Sequence, residues 1–94
     1  MSNHTLYLIQ SNYAATAQIL EQLAQIYTPV DQIILMGEAV LQLEHSFLQN
    51  LPQIYMLEND AELLTQPLPD QVKLVNFADF ADLCLGFNRC ISMK

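Results

Sequence analysis

Short strand-length runs that alternate with stretches of helical periodicity constrain this chain more than any other feature. Four such runs occupy residues 5–9, 32–36, 53–57 and 71–75. They are rich in Leu, Ile, Val and Tyr, as strands are. Residues 33–36 are continuously apolar rather than alternating, the pattern of a strand covered on both faces. Between the first two runs, Ala15, Ile19, Leu20, Leu23 and Ile26 recur at helical spacing, with Gln18, Glu21, Gln22 and Gln25 opposite them. Ser11 or Asn12 can cap that helix, because a short polar side chain accepts from an orphan backbone N–H. Pro29 stops it. After Gly37, which permits a sharp turn, residues 39–41 open one short helix and 45–51 another, closed by Pro52. Asn59 and Glu62 have the spacing of a capping box ahead of a brief helix that Pro67 and Pro69 end. Asn76 with Asp79 opens the last helix. One face of it reads Phe77, Phe80, Leu83, Cys84 and Phe87, and Gly86 is its C-cap. Residues 88–94 are long enough for a short edge strand.

This alternation predicts an α/β fold: a single domain over residues 1–94 with three layers, α/β/α, around a mostly parallel sheet of four to five strands. Crossovers in such a sheet are right-handed. Ligands collect at the carboxyl ends of the strands. Here those ends fall near residues 10–13, 37–44, 58–60 and Asn76.

Composition decides what the sheet can be used for. The chain has 94 residues, 52% of them hydrophobic and only 14% charged. Disorder needs the opposite balance. A chain this short hides about two-thirds of its surface. The apolar surplus therefore predicts either a very core-rich fold or a face covered by another chain. No run approaches the roughly 20 apolar residues of a membrane span. Residues 1–20 carry no Lys or Arg, so no secretory signal is read there. A soluble, cytoplasmic protein is expected. The net charge is −7, and Lys73, Arg89 and Lys94 all follow eight of the ten acids. That argues against direct contact with nucleic acid, which needs clustered Lys and Arg.

Candidate chemistry is sparse. Cys84 and Cys90 are spaced C-x5-C, neither a C-x-x-C pair nor a zinc knuckle. His4 and His45 lie far off in sequence, so no metal site is expected. The two glycines, Gly37 and Gly86, form no phosphate-binding loop, so no cofactor is expected. Cys84, on an apolar helix face, reads as an inert core thiol. Cys90 is the better candidate for reactivity, because Arg89 beside it could favour a thiolate. His4 reads as a surface or hydrogen-bonded residue, and His45 as solvated in a polar turn. Glu58, Asp60 and Glu62 resemble a metal cluster on paper, but acids at a helix start are explained by the macrodipole. Phe77, Phe80 and Phe87 read as helix core or as a face for another subunit. No catalytic residue is assigned, and Cys90 and Cys84 are the only candidates.

Three segments carry a family resemblance. They are His4-Thr5-Leu6, the strand Ile54-Tyr55-Met56-Leu57 running into Glu58-Asn59-Asp60, and Val75-Asn76-Phe77-Ala78-Asp79-Phe80-Ala81-Asp82-Leu83. Together with Ile33-Ile34-Leu35-Met36 and its acidic-glycine turn, they resemble the DsrH/TusB family of sulfur-relay proteins over essentially the whole chain. The turn after the second strand reads Gly37-Glu38 rather than Asp-Gly, and the chain ends Ser92-Met93-Lys94 rather than in an aromatic residue. The resemblance implies a subunit of a TusBCD- or DsrEFH-like complex, a dimer of heterotrimers with TusC- and TusD-like partners. Such complexes pass persulfide sulfur to a downstream sulfur carrier. In the Tus branch it goes toward 2-thiolation of the tRNA wobble uridine, and in the Dsr branch the complex serves sulfur oxidation. The relay cysteine belongs chiefly to the DsrE/TusD-type subunit, in the loop beyond the third strand. Residues 58–70 here have no cysteine. Nor do residues 11–26, where some DsrH-type members carry one. The resemblance thus implies a non-catalytic subunit of the Tus type. A sulfurtransferase carrying persulfide on Cys90 or Cys84, a DsrEFH-type subunit, and an unrelated flavin- or nucleotide-binding module remain as alternatives.

Overall fold

All four expected strands form, and the tail supplies a fifth. The computed structural model describes residues 4–65 and 67–93. Its elements are β1 (Thr5–Ile9), α1 (Tyr13–Ile26), β2 (Gln32–Leu35), a 3-10 turn (Gly37–Gln42), α2 (Ser46–Gln49), β3 (Ile54–Leu57), α3 (Glu58–Ala61), β4 (Val72–Val75), α4 (Phe77–Leu85) and β5 (Arg89–Met93). The strands make one sheet in the order β4-β3-β2-β1-β5. Every pairing is parallel, with Leu6 opposite both Gln32 and Cys90.

Strand order dictates the layers. From β1 to β4 the chain steps one strand at a time in a single direction. Right-handed crossovers then put every intervening helix on one face. The last connection returns across the whole sheet, so α4 lies on the other face. The cores follow. Tyr7, Ile9, Ile33, Leu35, Ile54 and Met56 pack with Ile19, Leu20 and Leu23 of α1 and with Val40 and Leu48. Leu6, Ile34, Met36, Leu57 and Val75 form the second core, under Phe80, Leu83 and Cys84 of α4. Adjacent strand residues serve opposite cores because side chains alternate across a strand.

The two faces are unequally covered. Three helices and the 3-10 turn shield the first, but nine-residue α4 alone shields the second. No residue of α4 is fully buried. Phe77, expected on its packed face, is 64% exposed, and Leu85 is 84% exposed. Phe77 is the first residue of the helix. Ile26, read as core for α1, is the last residue of the helix and is 56% exposed; Thr16 is buried instead.

Local signals succeeded where a polar side chain meets a free helix end. Asn12 Oδ1 accepts from Ala15 N at 2.8 Å, and Asn76 Oδ1 from Asp79 N at 2.8 Å. Ser11 makes a 2.6 Å contact with the Thr16 hydroxyl instead of capping. The Asn59–Glu62 capping box does not form. β3 runs directly into α3 with Leu57 at the cap position, which leaves Asn59 inside the helix. α3 ends at Ala61, before either proline. Gly37 takes φ +59, the left-handed turn its position requires. Gly86 caps α4 in right-handed helical geometry at φ −81. Lys94 lies outside the described residues.

Candidate functional site

At the carboxyl edge of the sheet the polar side chains are occupied in holding loops. Glu38 Oε1 accepts from Tyr13 N at 3.3 Å, and Gln42 Nε2 donates to Tyr13 O at 2.9 Å. Asp60 Oδ2 accepts from Gly37 N at 2.8 Å, joining the end of β3 to the turn after β2. Asp60 is thus a latch between strand ends, a role the sequence concealed because its donor is 23 residues away. Glu58 and Glu62 flank it on the surface. Among the described residues no group of three or more His, Cys, Asp or Glu could hold a metal ion. No described residue at this edge supplies a thiol. The crevice between residues 57–59 and 75–77 measures about 30 Å³, room for little more than a water.

A larger cleft of about 440 Å³ opens on the helix-covered face, beside the 3-10 turn and the loop before β4. Leu41, Leu43, Leu63 and Leu68 supply its apolar wall. Glu44 is the one ionisable side chain among its described lining residues. The Gln71 amide in its wall is engaged, donating to Leu48 O and Leu51 O at 2.8 and 3.2 Å. The cleft therefore offers shape but, among its described lining residues, no cysteine or histidine.

Both cysteines lie at the opposite, amino edge. α4 runs back across the sheet, so its C-terminal end carries Cys84 to the start of β5, whose second residue is Cys90. Both are free thiols, Cys84 half-buried and Cys90 exposed. Cys90 Sγ donates to the Cys84 carbonyl oxygen at 3.6 Å. Burial first, and the adjoining Cys90 thiol second, push the Cys84 pKa up to about 11. Cys84 is therefore a protonated thiol at neutral pH. Expected as a core thiol, it is half-buried at the rim of the second core, with the Cys90 thiol adjoining it.

Arg89 does not assist Cys90 as the sequence suggested. Its Nε and Nη2 donate to Thr5 Oγ1 at 3.3 and 3.2 Å. Adjacent residues of a strand point to opposite faces, so Arg89 and Cys90 diverge. His4 is exposed, with its ring set edge-on against Phe87 at 5.8 Å. Its backbone N–H donates to Asn88 Oδ1 at 3.0 Å. His45 is not simply solvated: Nδ1 accepts from Phe47 N at 3.2 Å and caps α2.

The amino edge also holds Asp31, which sequence reasoning did not single out. It is 4% exposed, and its two carboxylate oxygens accept from Thr5 N and Thr28 N, each at 3.0 Å. Tyr27 OH donates to Asp31 O at 2.7 Å. Burial, then the Asp31 charge, raises the pKa of both Tyr7 and Tyr27, and Arg89 partly offsets the rise at Tyr7. An acid just ahead of an apolar run was the only signal in the sequence.

Comparison with known proteins agrees with this architecture. A family model described as "DsrH like protein" matches residues 11–90. Among solved structures, the ychN protein from E. coli superposes with a TM-score of 0.59 at 16% sequence identity. That alignment covers 99% of this chain and 100% of the other. This likeness is one of fold. No curated protein matches the chain by sequence.

Proposed function

Because this chain belongs to the DsrH-like family, we propose that it is a non-catalytic subunit of a TusBCD-like sulfur-relay complex. The complex would support transfer of persulfide sulfur toward 2-thiolation of the tRNA wobble uridine in the cytoplasm. The chain would act as one domain over residues 1–94. The observation that carries the reading is the poor cover of the α4 face. Phe77 and Leu85 project into solvent, Leu8 and Tyr55 are only half-buried, and the amide oxygen of Gln32 is buried without a hydrogen-bond partner among the described residues. Apolar patches of this kind mark contact surfaces. TusC- and TusD-like subunits are the partners the family offers. The carboxyl edge, where the related subunits of such complexes carry the relay thiol, offers no cysteine in this chain. Among the described residues no helix is long and apolar enough to cross a membrane. The −7 charge leaves contact with tRNA to the partners.

Co-expression with TusC- and TusD-like chains from the same genome tests the reading. A stable three-component complex is expected. Recovery of the chain free of both partners would refute it. A second reading, persulfide carried on Cys90, is favoured by the exposure of that thiol. Its fate depends on Cys84.

A further inference from the structure

We propose that Cys84 and Cys90 act as one dithiol, which closes to a disulfide and releases sulfide when a low-molecular-weight persulfide reaches Cys90. Three observations converge on the pair. Cys90 Sγ lies 3.6 Å from the Cys84 carbonyl oxygen, so the sulfur already sits against the Cys84 peptide. Cys90 turns toward α4, because its neighbour Ile91 packs into the opposite core and Arg89 donates to Thr5. The thiols also differ in access: Cys90 is exposed and Cys84 half-buried. A reagent from solvent therefore meets Cys90 first, with Cys84 waiting behind it. β5 is an edge strand, paired only with β1, and only five residues separate the two cysteines. A small adjustment of side chains and edge strand can bring the sulfurs to bonding geometry without disturbing either core.

The chemistry balances in two exchanges. The Cys90 thiolate attacks the outer, sulfane sulfur of R–S–SH. The S–S bond between RS and that sulfur breaks, the thiolate RS⁻ leaves and takes a proton, and Cys90 becomes a persulfide. Cys84 then loses its proton to solvent and attacks Cys90 Sγ. The Cys84–Cys90 disulfide forms, and the bond to the terminal sulfur breaks to expel hydrosulfide. The two protein thiols are oxidised by two electrons. The sulfane sulfur takes up both electrons and leaves as sulfide. The net products are the protein disulfide, RSH and H₂S. The inference rests on the proposed sulfur-relay role only in naming a persulfide as the reagent the chain meets. It gives that reading a mechanism, since a persulfide discharged at once cannot be carried onward.

The test uses the full-length reduced chain and glutathione persulfide without oxygen. It is read by intact mass and by released sulfide. The wild-type chain is expected to lose about 2 Da and to release one equivalent of sulfide, whereas Cys84→Ser retains an adduct of about 32 Da with no sulfide release. Trypsin cuts after Arg89, between the two cysteines, so the wild-type peptides stay joined only if the disulfide has formed. That readout needs no variant to fold. A wild-type chain that keeps a stable persulfide adduct, or that stays unmodified, overturns the proposal. Neither result depends on whether the chain co-purifies with partners, so the two readings fail separately.

Discussion

One buried carboxylate ties together three segments at the amino edge of the sheet. Asp31 accepts from Thr5 N in β1 and from Thr28 N in the preceding loop, while its own carbonyl receives Tyr27 OH. Asp31→Ala would leave the buried Thr5 N–H and the part-buried Thr28 N–H without their acceptor. A loss of about 2–4 kcal/mol in urea unfolding is expected, since charge-assisted bonds and buried unsatisfied donors cost that much. Asp31→Asn, which keeps an acceptor oxygen, should recover part of it. An equal loss for both substitutions would mean that charge rather than acceptor geometry matters. The sequence could not reveal this role. Thr5 lies 26 residues away, and a lone Asp before a strand is ordinarily a solvated turn residue.

At the level of elements, caps with both partners inside four residues were legible. Asn12 and Asn76 needed only a helix start three residues downstream. The pair Asn59 and Glu62 had the same local signal and failed, because the end of β3 is set by its pairing with β2 and β4. The strand carries straight into α3, and no free helix end remains for Asn59 to cap. Gly37 was legible for a different reason: a strand followed by an immediate turn demands a left-handed residue. A Cβ placed there meets nothing within 4 Å. Gly37→Ala should therefore cost only the left-handed backbone penalty, about 1 kcal/mol. Thermal unfolding measures it, and a markedly larger loss would indicate that the Gly37 N–H bond to Asp60 is also broken.

Across the whole molecule, the order β4-β3-β2-β1-β5 leaves one face dependent on a single short helix. Exposed apolar side chains also occur elsewhere, at Tyr13, Ile26, Leu41 and Leu63, but the two most exposed, Phe77 and Leu85, both belong to α4. If a partner covers that face, Phe77→Ser with Leu85→Ser should weaken association roughly tenfold or more, since buried apolar anchors dominate interfaces. The isolated variant should unfold within about 0.5 kcal/mol of the wild type, because neither side chain is buried in the chain alone. Undiminished co-purification of the double variant would move the interface elsewhere.

The sequence by itself determined the α/β alternation, the four main strands and most helix starts, because strand runs, helical period and caps are local properties. It also shows that residues 11–26 and 58–70 carry no cysteine. The tertiary structure alone decided which expected core residues stay exposed, since periodicity identifies a face but not whether anything lies opposite it. Phe77 and Ile26 have the right spacing and no neighbour to bury them. It alone joined Asp31 to Thr5 and Asp60 to Gly37. It alone set Cys84 against Cys90, because α4 crosses back over the sheet and delivers one cysteine to the edge where the start of β5 holds the other, one residue after Arg89.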